Sequence, residues 1–336
     1  MSSPQLTFFC ELASDGLASL FADGQVAQKL QAMGARISLG LIDLSPERAA
    51  VVQSLNRAGV PVVAWLLLPK AEGYWANTDN GPQMVTRYAE FRVWSAHHTL
   101  DWAGVAIDVE PSFADMQMAM AGQIPAMLRH ALRRARDGAR HQRAVHIYET
   151  LVEQMHLDGF TVESYQVPFI VDERKAGASL LQRLFGLVDL HVDREVLMLY
   201  TSFTPALGPG ILWSYGRDAG GIGVGSTGGG VDSYTPLGWE SLGRDLRLAR
   251  RWTDALYVFS LEGCVQQGFV DRLADLDWAK AEPVPTASAR KVAWGRRAAQ
   301  AALWAGAHPG LTVAGLLSVI VASRVLSRRR RRSEDR

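Results

Sequence analysis

The chain has 336 residues, of which 48% are hydrophobic and 21% charged, a composition typical of globular proteins with a large apolar core. Its 35 basic and 34 acidic residues are unevenly placed, because Lys291–Arg336 contains ten basic and two acidic residues. The rest of the chain is mildly acidic, which argues against nucleic acid as a partner.

The chain contains two cysteines, Cys10 and Cys264, and both lie near predicted strands. Neither has a second cysteine or a histidine at the spacing of zinc ligands, and two cysteines do not make a disulfide framework. We therefore expect two buried free thiols in a reducing compartment, with no metal and no other cofactor. The polar start of the chain, Met1–Pro4, is not typical of a signal peptide.

The first seventy residues alternate between strand and helix patterns. Apolar runs predict strands at Leu6–Leu12, Ala35–Asp43 and Val60–Leu68, and helices are predicted at Gly16–Met33 and from Ser45 onwards. The third run is apolar almost throughout, which is typical of a strand buried on both faces. This alternation indicates parallel strands joined by helical crossovers.

The same alternation continues as far as residue 280. Further strands are predicted at Trp102–Pro111, Ala144–Glu149, Gly159–Ile170, Glu195–Phe203, Gly220–Thr227 and Ala255–Leu261. This gives nine candidate strands where a closed barrel needs eight, so one of the middle predictions is an excursion or a strand extension. We predict that residues 1–280 form a (β/α)₈ barrel, also called a TIM barrel.

The stretch Trp102–Pro111 has the pattern of a buried strand that ends in two carboxylates. Because strand side chains alternate between faces, Asp108 and Glu110 share a face with Ala106, whereas the opposite face is wholly apolar. Active sites of these barrels lie at the C-terminal ends of the strands. Two carboxylates on one face also repel each other, which raises the pKa of one towards that of a general acid.

Residues 103–110 read Ala-Gly-Val-Ala-Ile-Asp-Val-Glu, which resembles the signature Asp-Gly-x-Asp-x-Asp-x-Glu of family 18 glycoside hydrolases, the chitinase superfamily. Val196–Tyr200 is similar to a later Met-x-Tyr strand of that family. The resemblance implies that Glu110 protonates the glycosidic oxygen. It also implies that Asp108 orients a substrate acetamido group, which supplies the nucleophile, and that Tyr200 donates a hydrogen bond to the same group.

Further polar and aromatic residues follow predicted strands and are candidates for substrate binding. The loop Pro69–Asn80 presents two large aromatics beside amides, which suits the apolar faces and polar rims of sugars, although its aromatics could equally pack on the core. The candidate substrate-binding residues are Tyr74, Trp75, Asn77, Asn80, Glu11, Asp43, Glu149, Glu163 and Glu262. The last three are also alternative second carboxylates for Glu110.

The family signature has a further Asp where this chain has Ala106, so two functions from different classes stay open. The first is a membrane-anchored glycosidase acting on an amino-sugar glycan or glycolipid. The second is a non-catalytic, chitinase-like barrel that binds a glycan or a partner protein. A third interpretation is structural, with Asp108 and Glu110 paired to basic residues at the barrel mouth.

The composition changes after the predicted barrel. We predict a linker at 281–297, a hydrophobic transmembrane helix at 298–326 and a basic tail at 327–336. Between Arg297 and Arg324 lie 26 residues without a formal charge, and a membrane span needs about 20. The alternative is an amphipathic helix on the lipid surface, held by Arg328–Arg332. The positive-inside rule places those arginines in the cytoplasm, yet the missing export signal favours a cytoplasmic barrel.

Overall fold

Eight short apolar segments form parallel strands that close into one barrel. The computed structural model describes residues 3–228 and 235–312. Each strand pairs with the next along the chain, and the last pairs with the first. The strands are β1 Gln5–Cys10, β2 Arg36–Leu41, β3 Val62–Leu66, β4 Gly104–Val109, β5 Val162–Gln166, β6 Arg194–Met198, β7 Gly221–Gly225 and β8 Ala255–Phe259. The predicted (β/α)₈ barrel is confirmed.

Helices lie between the strands and pack on the outside of the barrel. They are α1 Ser14–Phe21, α2 Gln25–Ala32, α3 Pro46–Arg57, α4 Gly81–His97, α5 Phe113–Met120, α6 Ile124–Arg136, α7 Gly138–Leu157, α8 Phe169–Lys175, α9 Leu180–Phe185, α10 Gly208–Gly216, α11 Trp239–Ala249, α12 Leu261–Gln266, α13 Phe269–Ala274 and α14 Thr286–Ala307. Local sequence sets several starts. At α3, Ser45 accepts a hydrogen bond from the Arg48 N–H at 3.2 Å and Pro46 occupies the first turn.

The interior of the barrel is filled by aromatic side chains. Phe9, Trp65, Tyr165 and Tyr257 come from four different strands, and the ring centroids of Phe9 and Tyr165 lie 4.7 Å apart. The opposite strand faces pack against the helices in a second, larger apolar cluster. On β4, Ala106 belongs to the interior and its neighbours in sequence to the outer cluster, as the alternation predicts. The barrel interior is therefore a packed core, which leaves the ends of the strands as the places for a functional site.

The predicted strand at Ala144–Glu149 is wrong, because this stretch lies in the middle of α7. The six residues are mostly apolar and end in an acid, which resembles a strand, but the longer pattern has the helical period. The buried residues of α7 are Ala144, Tyr148, Leu151, Val152 and Met155. Removing this strand leaves the eight that the barrel needs. The connection from β4 to β5 consequently contains three helices, α5, α6 and α7.

The C-terminal helix α14 packs on the barrel and begins inside the predicted linker. Its Arg296 is buried, forms ion pairs of 2.8 Å with Asp172 and with Asp218, and lies 3.7 Å from the ring centre of Tyr215. Gln300 donates a further hydrogen bond of 2.7 Å to Asp172. These contacts anchor the helix to α8 and α10.

The predicted transmembrane segment overlaps α14 over residues 298–307, which lie on the barrel. Residues 313–326 of that segment, and Arg328–Arg332, fall outside the described residues. Within residues 3–228 and 235–312, no helix combines the length and apolar character needed to cross a membrane.

Candidate active site

Four carboxyl groups converge at the C-terminal end of the barrel. Glu11 follows β1, Asp108 lies near the end of β4, Glu110 follows β4, and Glu262 lies in the first turn of α12 after β8. Parallel strands bring these ends to one mouth, so residues far apart in sequence become neighbours. Burial raises the pKa of all four, and repulsion from another of the four adds to the rise for Asp108, Glu110 and Glu262.

Asp108 is the most deeply buried of the four, with 2% of its surface exposed. Its Oδ1 atom has no hydrogen-bond partner among the described residues. Burial raises the pKa of Asp108 well above its usual range, Glu110 and Glu11 add repulsion, and the Trp65 indole offsets part of the rise. A buried carboxyl with an unpartnered oxygen is costly to a fold, which is typical of a group kept for function.

Glu110 lies directly after β4, in a backbone position fixed by the Pro69–Asn80 loop. The N–H of Ala76 donates to the Asp108 carbonyl at 2.8 Å, and the Glu110 N–H donates to the Ala76 carbonyl at 3.3 Å. Burial, with repulsion from Glu11, raises the pKa of Glu110 to about 8. Glu110 therefore holds a proton at neutral pH, as a general acid requires.

Glu11 accepts a short hydrogen bond from the hydroxyl of Tyr74. Burial raises the pKa of Glu11, while this hydrogen bond and the charge of Lys70 oppose the rise. Tyr74 itself has a backbone φ of 64°, a left-handed conformation that is uncommon for a tyrosine. The turn at Tyr74 thus aims its hydroxyl at Glu11 inside the mouth.

Tyr200 follows β6 and completes the acidic mouth. Its ring stacks on Phe259 at 5.7 Å and meets the edge of Phe203 at 5.4 Å. Burial and the charges of Asp108 and Glu110 raise the pKa of Tyr200 well above its usual range. Its hydroxyl therefore stays protonated and can donate a hydrogen bond to a ligand.

An aromatic cluster borders the mouth on the side of the β3 and β4 loops. The ring centroids of Tyr74 and Trp75 are 5.1 Å apart, and those of Trp75 and Phe113 are 5.9 Å apart. Lys70 lies over the Phe113 ring, with its Nζ atom 5.1 Å from the centroid. Sequence reasoning missed Phe113 and Lys70, although Phe113 stands only three residues after Glu110. Tyr74 is buried against the barrel interior, whereas Trp75 and Phe113 are partly exposed and suit the apolar face of a sugar.

Asn77 and Asn80 are buried and hold the loop together. The side-chain amides of both donate hydrogen bonds to the Trp75 carbonyl, at 2.9 and 2.8 Å. The Asn80 Oδ1 atom also accepts from the Asn77 N–H at 2.9 Å and from the Tyr148 hydroxyl at 2.9 Å. Their hydrogen-bonding groups are therefore engaged within the loop that presents Tyr74 and Trp75.

Three other candidate carboxylates lie away from this mouth cluster. Asp43 follows β2 but pairs with Arg48 at 3.0 Å, and the hydrogen bonds of Arg48 and Ser45 hold the pKa of Asp43 well below its usual range despite burial. Glu149 is exposed on α7 rather than at a strand end, which corrects its predicted position. Glu163 is the second residue of β5 and lies at the opposite end of the barrel, so it cannot act with Glu110.

The position of the missing family Asp is occupied by Ala106, which is fully buried inside the barrel. In the strand register Ala106 lies beside Trp65 on β3 and Glu163 on β5. No basic residue forms an ion pair with Asp108 or Glu110 in the described part of the chain, which argues against the structural interpretation of this pair. Over residues 3–228 and 235–312, no three His, Cys, Asp or Glu side chains are arranged to hold a metal ion.

Comparison with solved structures supports the barrel. The chain is similar to the glycoside hydrolase domain of PgaB (BpsB) from Bordetella bronchiseptica, with 12% identity and a TM-score of 0.51 over 83% of this chain and all of that domain. It is also similar to a GH18 chitinase from Pseudoalteromonas aurantia, with 9% identity and a TM-score of 0.48 over 81% of this chain and all of that one.

A D-allulose 3-epimerase from Methylomonas sp. has 11% identity and a TM-score of 0.42, over 88% of this chain and 99% of the epimerase. No protein-family model and no curated protein sequence matches the chain. At these identities the likeness concerns the fold alone, and function must be argued from the residues at the mouth.

Proposed function

We propose that this protein is a glycosidase of the family 18 type that cleaves a glycosidic bond in an amino-sugar glycan or glycolipid. One observation carries the proposal. Glu110, with its pKa raised to about 8, lies two residues from the unpaired carboxyl of Asp108, on the same face at the barrel mouth. The PgaB domain supports the proposal only through its shared fold.

In the proposed reaction Glu110 donates its proton to the glycosidic oxygen as the bond to the anomeric carbon breaks. The carbonyl oxygen of the substrate's acetamido group attacks that carbon and forms a cyclic cation, which Asp108 orients and stabilises. The Tyr200 hydroxyl donates a hydrogen bond to the same group. Water then opens the ring and returns a proton to Glu110, so the carboxyls end as they began.

The second candidate, a barrel that binds a glycan without cleaving it, is favoured by Ala106. The interior beside Asp108 is closed by Trp65 and other apolar residues, so Asp108 lacks the carboxylate neighbour that the family places below it. The aromatic cluster and the mouth would serve binding equally well. Hydrolysis is therefore the measurement that separates the two candidates.

The test is hydrolysis of a panel of aryl glycosides of N-acetylated and free amino sugars by the full chain. Glu110→Gln should lower kcat by a factor of about 10²–10⁴ for substrates with poor leaving groups, and by much less for nitrophenyl leaving groups, which need no proton. The matched control is Glu149→Gln, which removes an exposed carboxyl on α7 and should leave kcat unchanged.

Equal loss in both variants, or activity that survives Glu110→Gln on every substrate, would contradict the role of Glu110. If wild type hydrolyses nothing but binds amino-sugar oligomers, and Trp75→Ala abolishes that binding, the non-catalytic candidate replaces the first. Trp75 is suited to this test because it is partly exposed at the rim.

We further propose that the protein is associated with a membrane through the apolar part of residues 298–326 and through Arg328–Arg332, with the barrel on the cytoplasmic side. The support is the uncharged run and the arginine cluster in the sequence. Because residues 298–307 lie on the barrel, the anchoring segment would start after α14. Alkaline extraction of the membrane fraction would retain a spanning segment and release a surface-bound one.

A further inference from the structure

Helix α6 presents a row of large apolar side chains to solvent. Ile124, Leu128 and Leu132 are spaced four residues apart and are 44%, 51% and 51% exposed. At this spacing they form one stripe along the helix. The stripe borders the face through which the helix is attached to the rest of the molecule, where Ala131 and Arg134 are buried. An exposed stripe of this kind marks an interaction surface rather than part of the core.

Basic residues border the stripe on its solvent side. Arg129, Arg133 and Arg136 are exposed and form no ion pair within residues 3–228 and 235–312. Two acidic residues near α6 are already paired, Asp115 with Arg134 at 2.5 Å and Asp79 with Arg140, whereas Asp137 directly after the helix is exposed and accepts a hydrogen bond from the Arg140 N–H. An apolar stripe beside uncompensated arginines is the pattern of a helix that lies on an anionic lipid surface.

Neighbouring parts of the fold extend this surface. Helix α9 packs against α6 and exposes Leu180 and Phe185. The C-terminal end of α14 lies beside the turn that leads into α9, where the ring of His308 is next to Gly177. The chain after α14, which contains the predicted lipid-binding segment, therefore starts from the same side of the barrel.

We propose that the exposed face of α6, defined by Ile124, Leu128, Leu132 and the adjoining arginines, binds an anionic membrane surface. The leucines enter the boundary between headgroups and acyl chains, and the arginines contact lipid phosphates. Because α5 begins at Phe113 beside Trp75, this contact places the rim of the candidate active site next to the lipid. The proposal concerns orientation on a membrane and does not depend on the reaction at the mouth.

The experiment places an environment-sensitive label on α6 of the full chain. Cys10 and Cys264 are buried, so Leu128→Cys provides the accessible thiol for an NBD label. The matched control is Leu157→Cys, at the end of α7, where Leu157 is 81% exposed. Each labelled protein is mixed with vesicles of phosphatidylcholine alone or of equal parts phosphatidylcholine and phosphatidylglycerol.

The expected result is a shift to shorter wavelength and a rise in NBD emission of about twofold or more for position 128 with the anionic vesicles, with little change at position 157. Adding Arg129→Gln and Arg133→Gln should reduce the change at position 128, as should high salt. This readout is local, so a tail that merely tethers the protein does not produce it.

Three outcomes would overturn the proposal. Unchanged emission at position 128 while the protein sediments with the vesicles would leave the tail as the sole contact. A label that is already shielded before vesicles are added would mean that another part of the chain or a second copy covers α6. Equal shifts at both positions would indicate nonspecific adsorption.

Discussion

Two acidic side chains on neighbouring strands are equally buried but have opposite surroundings. Glu163 on β5 is 3% exposed and Asp108 on β4 is 2% exposed. Glu163 accepts hydrogen bonds from Arg36 at 3.0 Å, from Tyr257 at 2.8 Å and from Arg194 at 3.4 Å. Asp108 has an oxygen without a partner and two other carboxyls for neighbours. Burial alone therefore does not distinguish a structural acid from a functional one.

The two acids differ in the charged groups that surround them at each end of the barrel. At the N-terminal end, two arginines on the strands themselves offset the cost of burying a carboxylate. At the mouth, the cation that opposes the rise in the pKa of Glu11 is Lys70, which comes from a loop. At the mouth, burial instead raises the pKa of the acids, and Glu110, whose pKa is raised to about 8, holds a proton that is available for catalysis.

The largest effect is expected from removing the paired acid. Glu163→Gln leaves Arg36 and Arg194 without their counter-charge inside the barrel, so the free energy of unfolding should fall by about 3 kcal/mol. Urea denaturation measured at neutral pH would show this fall. The same substitution type at the mouth, Asp108→Asn, should leave stability unchanged or raise it, because it removes repulsion.

A fall of similar size in both variants would break the comparison, since it would mean that Asp108 also has a stabilising partner. Circular dichroism of the two variants under native conditions provides the control for folding. A stable Glu163→Gln variant would instead show that the polar network at the N-terminal end contributes little.

The second prediction concerns stability against pH. The pKa of Glu110 is raised from 4.5 to about 8 in the folded state, so the folded protein holds its proton more tightly than the unfolded chain. The stabilisation is complete below the unfolded pKa and is lost as pH rises through about 8. As pH rises from 4.5 to about 8, the free energy of unfolding of wild type should fall, on the order of 1–3 kcal/mol more than that of Glu110→Gln.

Denaturation midpoints of both proteins, measured at a series of pH values, test this difference. The expected curves diverge between pH 4.5 and about 8, as wild type loses stability relative to the variant, and run parallel above that range. If wild type gained stability relative to Glu110→Gln as pH rises, Glu110 would be paired with a cation and its role as an acid would be wrong. The pH–rate profile of any hydrolysis should show the same titration of Glu110, as a loss of activity on the alkaline side.

The mouth could be found from sequence because its signal is local. Alternation over Ala106, Asp108 and Glu110 fixes which side chains enter the barrel, and a Pro directly after them marks the strand end. Glu11 and Glu262 were also found, since each follows an apolar strand. Alternation could not show at which end of the barrel Glu163 lies. A shift of a few residues along one strand moves a side chain from the C-terminal end of the barrel to the N-terminal end.

Other features depend on contacts that no short window contains. The strand predicted at Ala144–Glu149 fits six residues, whereas the helix that replaces it is recognised only over twenty. Helix α14 begins at Thr286, inside the predicted linker, and its Arg296 is buried where Asp172 of α8 and Asp218 after α10 pair with it. Such pairings arise from the closed barrel and cannot be read from composition.

A third prediction concerns the aromatic cluster at the mouth. Phe113→Ala removes ring contacts to Trp75 and Tyr74, and ring pairs contribute about 0.5–1.5 kcal/mol each. We expect a weaker contact with glycans, seen as KM or Kd about threefold to tenfold higher, with stability little changed. Phe185→Ala, which removes a ring contact on α9, is the matched control and should leave binding unaffected. An unchanged Kd for Phe113→Ala would place the ligand elsewhere.

The smallest effect, and the finest test of the comparison, is expected at Lys70. Its charge lowers the pKa of Glu11, so Lys70→Met should raise that pKa further, by a small amount because the lysine is exposed and its charge is screened. Carbon-13 NMR titration of the Glu11 carboxyl would follow the change, which added salt should reduce. Lys29→Met, which removes a surface pair with Asp271, should not move it. A shift in the opposite direction would mean that Lys70 does not face the carboxyl cluster, and that the mouth has a different source of charge balance.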